Sequence, residues 1–374
     1  MKIAILGTRG YPYIYSGYET FVKELGERLV ERGIEVTVYC HRNLFTSFPR
    51  RVNGLQLVYL PTVEKKSMSQ LLHSVQAMIH ASVTKKDILL VVNPANGPLG
   101  WIPKIFRRKT AINTDGLEWL RPKWHGIGAA YFHWAARAST KLYDCLVSDS
   151  YQMQKIYEKE FGAASTVIAY GANIKYSSRP ELLNKWKLTK QGYYLVVGRL
   201  IPDNNSDVVI REFLTSQSKK ELVIVGDVPY KDEYAEKIKS ITNQRIIFAG
   251  YVTDGDELNE LYQNCFAYIH GHEFGGTNPT MLTAMASGCA VIALDTPFTR
   301  EMCDGQRHAI YFTKEKGNLA AILLTHESDA SKIKILRETS RDRITQNYTW
   351  EKITEQYIDL FKRMISPDGN KISW

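Results

Sequence analysis

No cysteine of this chain sits in a C-x-x-C pair, and the five present (Cys40, Cys145, Cys265, Cys289, Cys303) are odd in number and scattered. That excludes a disulfide framework and a zinc site built on paired cysteines, and leaves buried, reduced thiols as the expectation. Long hydrophobic runs are missing too: none approaches the roughly 20 residues that span a bilayer. The chain enters Lys2-Ile3-Ala4-Ile5-Leu6-Gly7 directly, with no signal-peptide cleavage site, so a cytoplasmic protein is expected. There is no helix-turn-helix, zinc-finger or RNA-binding signature, which argues against nucleic acid as partner. Short-period repeats and low-complexity segments are also lacking.

What is present is a basic, globular composition. The net charge of +9 favours an acidic partner. With nucleic acid set aside, an anionic small molecule or a membrane surface remains. A length of 374 residues suggests two domains, each large enough for its own core. Strand-length apolar runs recur along the chain: Lys2–Leu6, Glu35–Cys40, Leu55–Leu60, Asp87–Val92, Thr110–Thr114, Cys145–Ser148 and Ser165–Gly171. After a polar stretch near 173–192 the rhythm restarts with Tyr193–Val197, Glu221–Val225, Arg245–Ala249, Cys265–Ile269 and Ala290–Asp295. Helix-period segments fill the gaps. Strand–helix–strand units of this length imply parallel sheets. The expected fold is α/β: two facing Rossmann-like domains, at 1–175 and 176–349, with the active site in the cleft between them. A last helix from about Trp350 to Met364 has its apolar residues at helical spacing.

One stretch organises the second half: His270-Gly271-His272-Glu273-Phe274-Gly275-Gly276-Thr277-Asn278-Pro279-Thr280. It reads as strand end, glycine turn and helix start. Gly275 and Gly276 admit close backbone approach. Thr277 and Asn278 suit a helix cap and Pro279 the first helical position. The helix N-terminus then faces the turn and makes an anion site, and a nucleotide phosphate is the expected ligand. A purely structural capping turn explains the same residues about equally well. Arg199, at the end of Tyr193–Val197-Gly198, is placed to grip a diphosphate. In the first half Gly7-Thr8-Arg9-Gly10 forms a G-x-x-G turn that lacks the dinucleotide fingerprint, which argues against NAD. Tyrosines of the Tyr11–Gly17 insertion suit sugar rings. Asp115 and Glu118, with Trp119 beside them, suit hydroxyl binding or a base. His272 suits a direct ligand contact, and a structural histidine, the commoner case for a lone ring, explains it as well. The run Trp101-Ile102-Pro103-Lys104-Ile105-Phe106-Arg107-Arg108-Lys109 suits an anionic bilayer surface, and a solvated basic helix end explains it equally well.

Taken together, these residues resemble the GT-B glycosyltransferases, specifically the retaining family 4. Val197-Gly198-Arg199-Leu200-Ile201-Pro202 is similar to that family's donor-phosphate segment, and Leu282–Gly288 to its helix after the glycine turn. Gly7–Gly10, Gly17-Tyr18-Glu19-Thr20-Phe21, Asp115–Trp119, Pro202-Asp203-Asn204-Asn205 and His270–Pro279 resemble a bacterial subgroup that includes rhamnosyltransferases of polysaccharide assembly. The resemblance implies transfer of L-rhamnose from dTDP-rhamnose to a lipid-linked saccharide. It implies no cofactor and no metal, and a last helix, 350–374, that crosses back to the N-terminal domain. Localisation would be cytoplasmic, peripheral at the inner face of the cell membrane. By resemblance the catalytic candidates are Arg199, Asp115, His272 and Glu273. The donor-binding candidates are Gly7, Arg9, Gly10, Arg199, Asn204, Asn205, Gly275, Gly276, Thr277, Asn278 and Thr283. The acceptor-binding candidates are Tyr15, Gly17, Glu19, Thr20, Glu118 and Trp119. Three positions depart from the family pattern. Asn204 replaces a diphosphate-binding lysine, Thr283 replaces a ribose-binding glutamate, and Gly275 replaces a further glutamate for which Glu273 is a partial substitute. These departures keep open a UDP-sugar-dependent enzyme, a sugar-nucleotide epimerase of the same fold, or a catalytically silent binding protein.

Overall fold

Apolar runs that end in glycine or polar turns become strands buried on both faces, as parallel sheets require. The computed structural model describes residues 1–12, 17–62, 66–122, 124–228 and 231–366. The chain divides into two units. The first comprises Met1–Leu120, Trp124–Tyr170 and Trp350–Trp374, and the second Arg121–Lys123 and Gly171–Thr349.

The first unit contains β1 (Lys2–Leu6), α1 (Gly17–Glu31), β2 (Glu35–His41), β3 (Arg51–Val52), β4 (Leu55–Leu60), α2 (Lys66–Val83) and β5 (Ile88–Val91). It continues with α3 (Trp101–Ile105), β6 (Lys109–Asn113), α4 (Ile127–Leu142), β7 (Cys145–Ser148), α5 (Tyr151–Phe161) and β8 (Thr166–Val167). Its eight strands run in the order β3-β4-β2-β1-β5-β6-β7-β8. All pairings are parallel except β3 with β4. Strand order reverses at β1, so the switch point lies between β1 and β5, where α/β sheets bind ligands.

The second unit contains β9 (Tyr193–Val197), α6 (Ser206–Ser216), β10 (Glu221–Val225), α7 (Glu233–Lys239), β11 (Ile246–Gly250), α8 (Gly255–Asn264) and β12 (Ala267–His270). Then follow α9 (Pro279–Ala286), β13 (Val291–Leu294), α10 (Pro297–Met302), β14 (Ile310–Phe312), α11 (Asn318–Ser328) and α12 (Ser331–Asn347). The order β11-β10-β9-β12-β13-β14 is the six-strand Rossmann order, with the switch point between β9 and β12. These two strands pair only at Ala267 with Tyr194 and Tyr268 with Leu195. Beyond that pairing the ladder stops, and the loops after Val197 and His270 continue from it. Tyr194, Val196, Leu222, Ile224, Ile269 and Ile292 of the sheet pack with Phe213, Leu319 and Leu336 of the helices into one core.

The last helix, α13 (Trp350–Ile365), belongs to the first unit. It buries Ile353, Tyr357, Leu360, Phe361 and Met364. Phe21 of α1 meets Trp350 and Tyr357 at ring-centroid distances of 6.3 and 5.6 Å. Arg28 of α1 pairs with Glu351 at 3.2 Å. No helix of the described residues is long and apolar enough to cross a membrane. All five cysteines are free and buried.

At the exit of β10, Gly226 holds φ +121°, and a Cβ there would lie 2.0 Å from the Gly198 carbonyl oxygen. Gly226→Ala is expected to cost about 2 kcal/mol or more, from strain and overlap together. Thermal unfolding checks it: a Tm equal to wild type would contradict the close approach.

Candidate functional site

In the second unit the loop after β9 and the loop after β12 are held together by side-chain amides. A Cβ on Gly271 would lie 2.4 Å from the Asn204 carbonyl oxygen, so the two backbones touch only because glycine is there. The Asn205 amide, at φ +50°, donates to the Gly271 carbonyl at 2.8 Å. The Glu273 N–H donates to the Asp203 carbonyl at 3.0 Å. Asn204 donates to the Arg199 carbonyl at 2.7 Å, and its Oδ1 lies 2.7 Å from His272 Nδ1. Both ends of the Asn204 amide are thus spent on the protein, and Asn205 is a buried structural brace. The structure gives the side chains of these two expected donor ligands a scaffolding task, and at position 204 a neutral amide donates to the Arg199 carbonyl while its oxygen faces the His272 ring, a pair of roles that an ammonium cannot fill.

The glycine turn opens next to them. Gly275 holds φ +111°, and a Cβ there would lie 3.7 Å from His272 Nε2 and 3.9 Å from Arg121 Nη2. Asn278 caps α9: its Oδ1 accepts from Thr280 N–H at 3.0 Å and from the Thr280 hydroxyl at 2.7 Å. Pro279 occupies the first position. Thr277 is buried beside it. Arg199 is exposed. Arg121 groups with this unit, with Nε 3.7 Å from Asp203 Oδ2. The sequence reading missed Arg121, because a single arginine in a polar loop carries no local mark. Glu273 is held by Lys314, with Nζ 2.5 Å from Oε2. Its carboxylate is therefore already engaged by a lysine. The Thr283 hydroxyl donates back to the Pro279 carbonyl at 2.9 Å and is spent within α9.

The imidazoles here are neutral. Burial foremost, then the neighbouring His270 and the Arg121 and Arg199 charges, hold His272 well below its usual range, against an opposing pull from the Phe274 backbone. Burial alone takes His270 down to about 3. At neutral pH His272 is no proton donor in the cationic sense.

In the first unit Gly7 lies at the switch point with φ +93°, and a Cβ there would lie 2.4 Å from the Val92 carbonyl oxygen. Gln70 Nε2 donates to the Gly7 carbonyl at 3.2 Å. The Arg9 N–H donates to Glu19 Oε1 at 3.0 Å, and the Arg9 carbonyl accepts from His41 N–H at 3.0 Å. Glu19, buried in the first turn of α1 with Gly17 and Thr20, therefore secures the Gly7–Gly10 turn. Asp115 accepts from Tyr18 and Tyr170 hydroxyls, each at 2.5 Å. Two phenols on one carboxylate make it an anchor between α1 and the end of the unit, not an open base. Glu118 accepts from Trp124 Nε1 at 2.7 Å. Trp119 packs edge-on against Tyr157, Phe161 and His133. Tyr15 lies outside the described residues.

A pair that no motif announced sits at the end of β2. His41 and His73 stack at 3.8 Å between ring centroids, both buried. Burial first, then His73 and Arg9, takes His41 down to about 3, with Gln70 opposing. Burial takes His73 to about 4, with the Cys40 backbone opposing.

Residues 191–327 match the family model of group 1 glycosyl transferases, and residues 1–173 match a domain of unknown function (DUF1972). An uncharacterized glycosyltransferase of Methanocaldococcus jannaschii is 24% identical over 177 residues, 46% of this chain and 45% of that protein, so the match spans less than half of the relative's length. Among solved structures, sucrose-phosphate synthase of Thermosynechococcus elongatus superimposes with a TM-score of 0.80 at 16% identity, covering 97% of this chain and 98% of that one. HepE of Anabaena, solved in complex with UDP-glucose, gives 0.77 at 16% identity, covering 97% and 99%.

Histidines kept neutral by folding bind protons in the unfolded chain below their ordinary pKa of 6.5, while the folded chain does not. Stability is therefore full above pH 6.5 and falls as pH drops toward 4, by about 1.4 kcal/mol per pH unit for each such group. His73→Phe, which keeps a ring beside His41, is expected to shallow that fall between pH 6.5 and 5, read by thermal unfolding. An unchanged slope would show that His73 is protonated in the fold.

The chain has the two Rossmann-like domains of the GT-B fold, and within the second unit residues 191–327 are similar to group 1 glycosyl transferases.

Proposed function

We propose that this protein takes a sugar from a nucleoside-diphosphate carrier held at the switch point of the second unit. The observation that carries the reading is the approach of Arg121 and His272 to the Gly275 turn that leads into the capped start of α9, with the Arg199 charge near enough to act on His272. A diphosphate needs positive charge, and the positive end of a helix beside arginines supplies it. As the sugar departs, charge grows on the leaving phosphate, and preset cations there act on the transition state. Arg121 takes over part of what a lysine at position 204 would do. HepE, solved with UDP and with UDP-glucose, supports a nucleoside diphosphate as the carrier.

The donor we propose is dTDP-rhamnose, supported by the motif resemblance at Gly17–Phe21, Asp115–Trp119 and Pro202–Asn205. The acceptor is a lipid-linked saccharide of cell-surface polysaccharide synthesis, and transfer is retaining. Departure and attack then share one face of the sugar, the leaving phosphate assists deprotonation of the acceptor hydroxyl, and no enzymic nucleophile is needed. This suits carboxylates that are each already engaged within their own unit: Glu273 by Lys314 in the second, Asp115 by two tyrosines and Glu118 by Trp124 in the first.

A lipid-linked acceptor calls for contact with the inner face of the membrane. Two neighbouring segments of the first unit supply apolar and basic groups together. Trp101 and Ile105 of α3 are 53% and 66% exposed, and Ile127 and Trp134 lie on one stripe of α4 at 91% and 55%. Lys104 reaches from α3 to the Lys141 carbonyl of α4, and Arg107, Arg108 and Lys109 follow α3. Aromatic rings with flanking cations are the composition of a bilayer interface.

Titration of purified protein with dTDP-rhamnose, UDP-glucose, UDP-N-acetylglucosamine and GDP-mannose tests the donor. Arg199→Ala is expected to weaken the preferred donor by about 1.5–3 kcal/mol, ten- to a hundredfold. Absence of binding by all four would sink the reading, and preference for a donor other than dTDP-rhamnose would replace the sugar. For the membrane, flotation with anionic vesicles is expected to fall when Arg107, Arg108 and Lys109 are neutralised together. Equal flotation would remove that patch from the contact.

A further inference from the structure

The loops after β9 and β12 set the hydrogen positions on two imidazoles without help from titration. The Asn204 amide has one orientation open to it. Its Nδ2 lies 2.7 Å from the Arg199 carbonyl, which only accepts, so the –NH₂ end must face that carbonyl. Oδ1 then faces His272 Nδ1 at 2.7 Å and can only accept, so Nδ1 carries the proton. A neutral ring protonated at Nδ1 has a bare lone pair at Nε2. That Nε2 is the atom nearest to the Cβ position of Gly275, at 3.7 Å, on the turn where we place the donor.

His270 is set in the same way by a longer relay. Asn278 Oδ1 is fixed as an acceptor by Thr280 N–H, so the Thr280 hydroxyl donates to it at 2.7 Å. The Tyr268 hydroxyl then donates to Thr280 Oγ1 at 3.2 Å. With its one proton spent, Tyr268 accepts from His270 Nδ1 at 3.0 Å. His270 Nε2 is bare as well, buried and without a hydrogen-bond partner. The two rings lie 6.1 Å apart.

We infer that His272 is a fixed hydrogen-bond acceptor that selects the sugar of the bound donor by taking one of its hydroxyls at Nε2, with Asn204 as the residue that positions it. A lone pair repels phosphate oxygens and needs a donor group opposite it. Beside the turn that receives the diphosphate, the hydroxyls of the attached sugar are the groups that can donate. The replacement of a lysine by Asn204 then has a purpose: a lysine ammonium can only donate, and would force the opposite tautomer on His272. The inference rests on the donor reading above and adds the atom that discriminates the sugar.

Two substitutions separate the ring nitrogens. His272→Asn leaves an amide where Nδ1 was, able to keep the Asn204 contact, and removes the acceptor at Nε2. His272→Gln puts an amide oxygen near the Nε2 position. Both variants and wild type are titrated with UDP, UDP-glucose, dTDP and dTDP-rhamnose. The expected result is that His272→Asn weakens the preferred sugar nucleotide about tenfold while the bare nucleoside diphosphate stays within about twofold, and His272→Gln recovers most of the loss. Equal loss for nucleotide and sugar nucleotide would assign His272 to phosphate or base and overturn the inference, as would unchanged sugar-nucleotide binding in His272→Asn. Imidazole ¹⁵N shifts of the wild-type protein give a readout that needs no variant to fold. Nδ1 protonated and Nε2 bare across pH 5.5–8 is the expected pattern, and a proton on Nε2 overturns it. Failure of wild type to bind any of the four ligands strikes the donor reading itself, and the ¹⁵N result then shows separately whether the tautomer was assigned correctly.

Discussion

Two asparagine side chains hold the exits of β9 and β12 against one another, and the site of the second unit depends on that grip. The backbones meet where Gly271 faces the Asn204 carbonyl, closer than any Cβ allows. Asn205 satisfies the Gly271 carbonyl, and Asn204 satisfies the Arg199 carbonyl and the His272 ring. The Gly271 carbonyl is buried in this contact, so it must find a protein partner or cost about 1–3 kcal/mol. Once those partners are in place, Arg199, His272 and the glycine turn are carried to the same opening.

Charge in that opening is arranged by subtraction. Asp203 lies near Arg121, Glu273 is paired with Lys314, and both histidines are kept neutral by burial. What is left is positive, from exposed Arg199 and the capped start of α9. The first unit follows the same economy with the opposite sign. Glu19, Asp115 and Glu118 are each tied to a backbone N–H, a pair of phenols and an indole. Acids that in isolation read as chemistry are, in the fold, the means by which the Gly7–Gly10 turn, α1 and the Trp124 segment are held.

Much of the fold was legible because its signals are local. Apolar runs such as Glu221–Val225 and the cap Asn278-Pro279 act within a few residues, so β10 and the start of α9 fall where periodicity and capping place them. The terminal helix was legible for the same reason, since Ile353, Tyr357, Leu360 and Met364 form one stripe. Boundaries were less so: the run Ser165–Gly171 yields only the two-residue strand β8, because an edge strand pairs on one side only and loses its ladder early. The candidate site was legible as a motif but not as a set of roles. Asp115 between two tyrosines 97 and 55 residues away, and Arg121 beside Asp203, depend on contacts that no spacing rule encodes.

By itself the sequence determined the alternation of strand and helix, the division into two Rossmann-like units, and the presence of a glycine turn before a capped helix. These follow from hydrophobic period, glycine torsion and capping chemistry, all properties of neighbouring residues. Only the tertiary structure decided which charges are cancelled, which amides are spent on backbone, and which ring nitrogen of His272 is left bare. Those outcomes depend on burial and on partners distant in the chain, and a side chain's chemistry at a site is what remains after such partners have been satisfied.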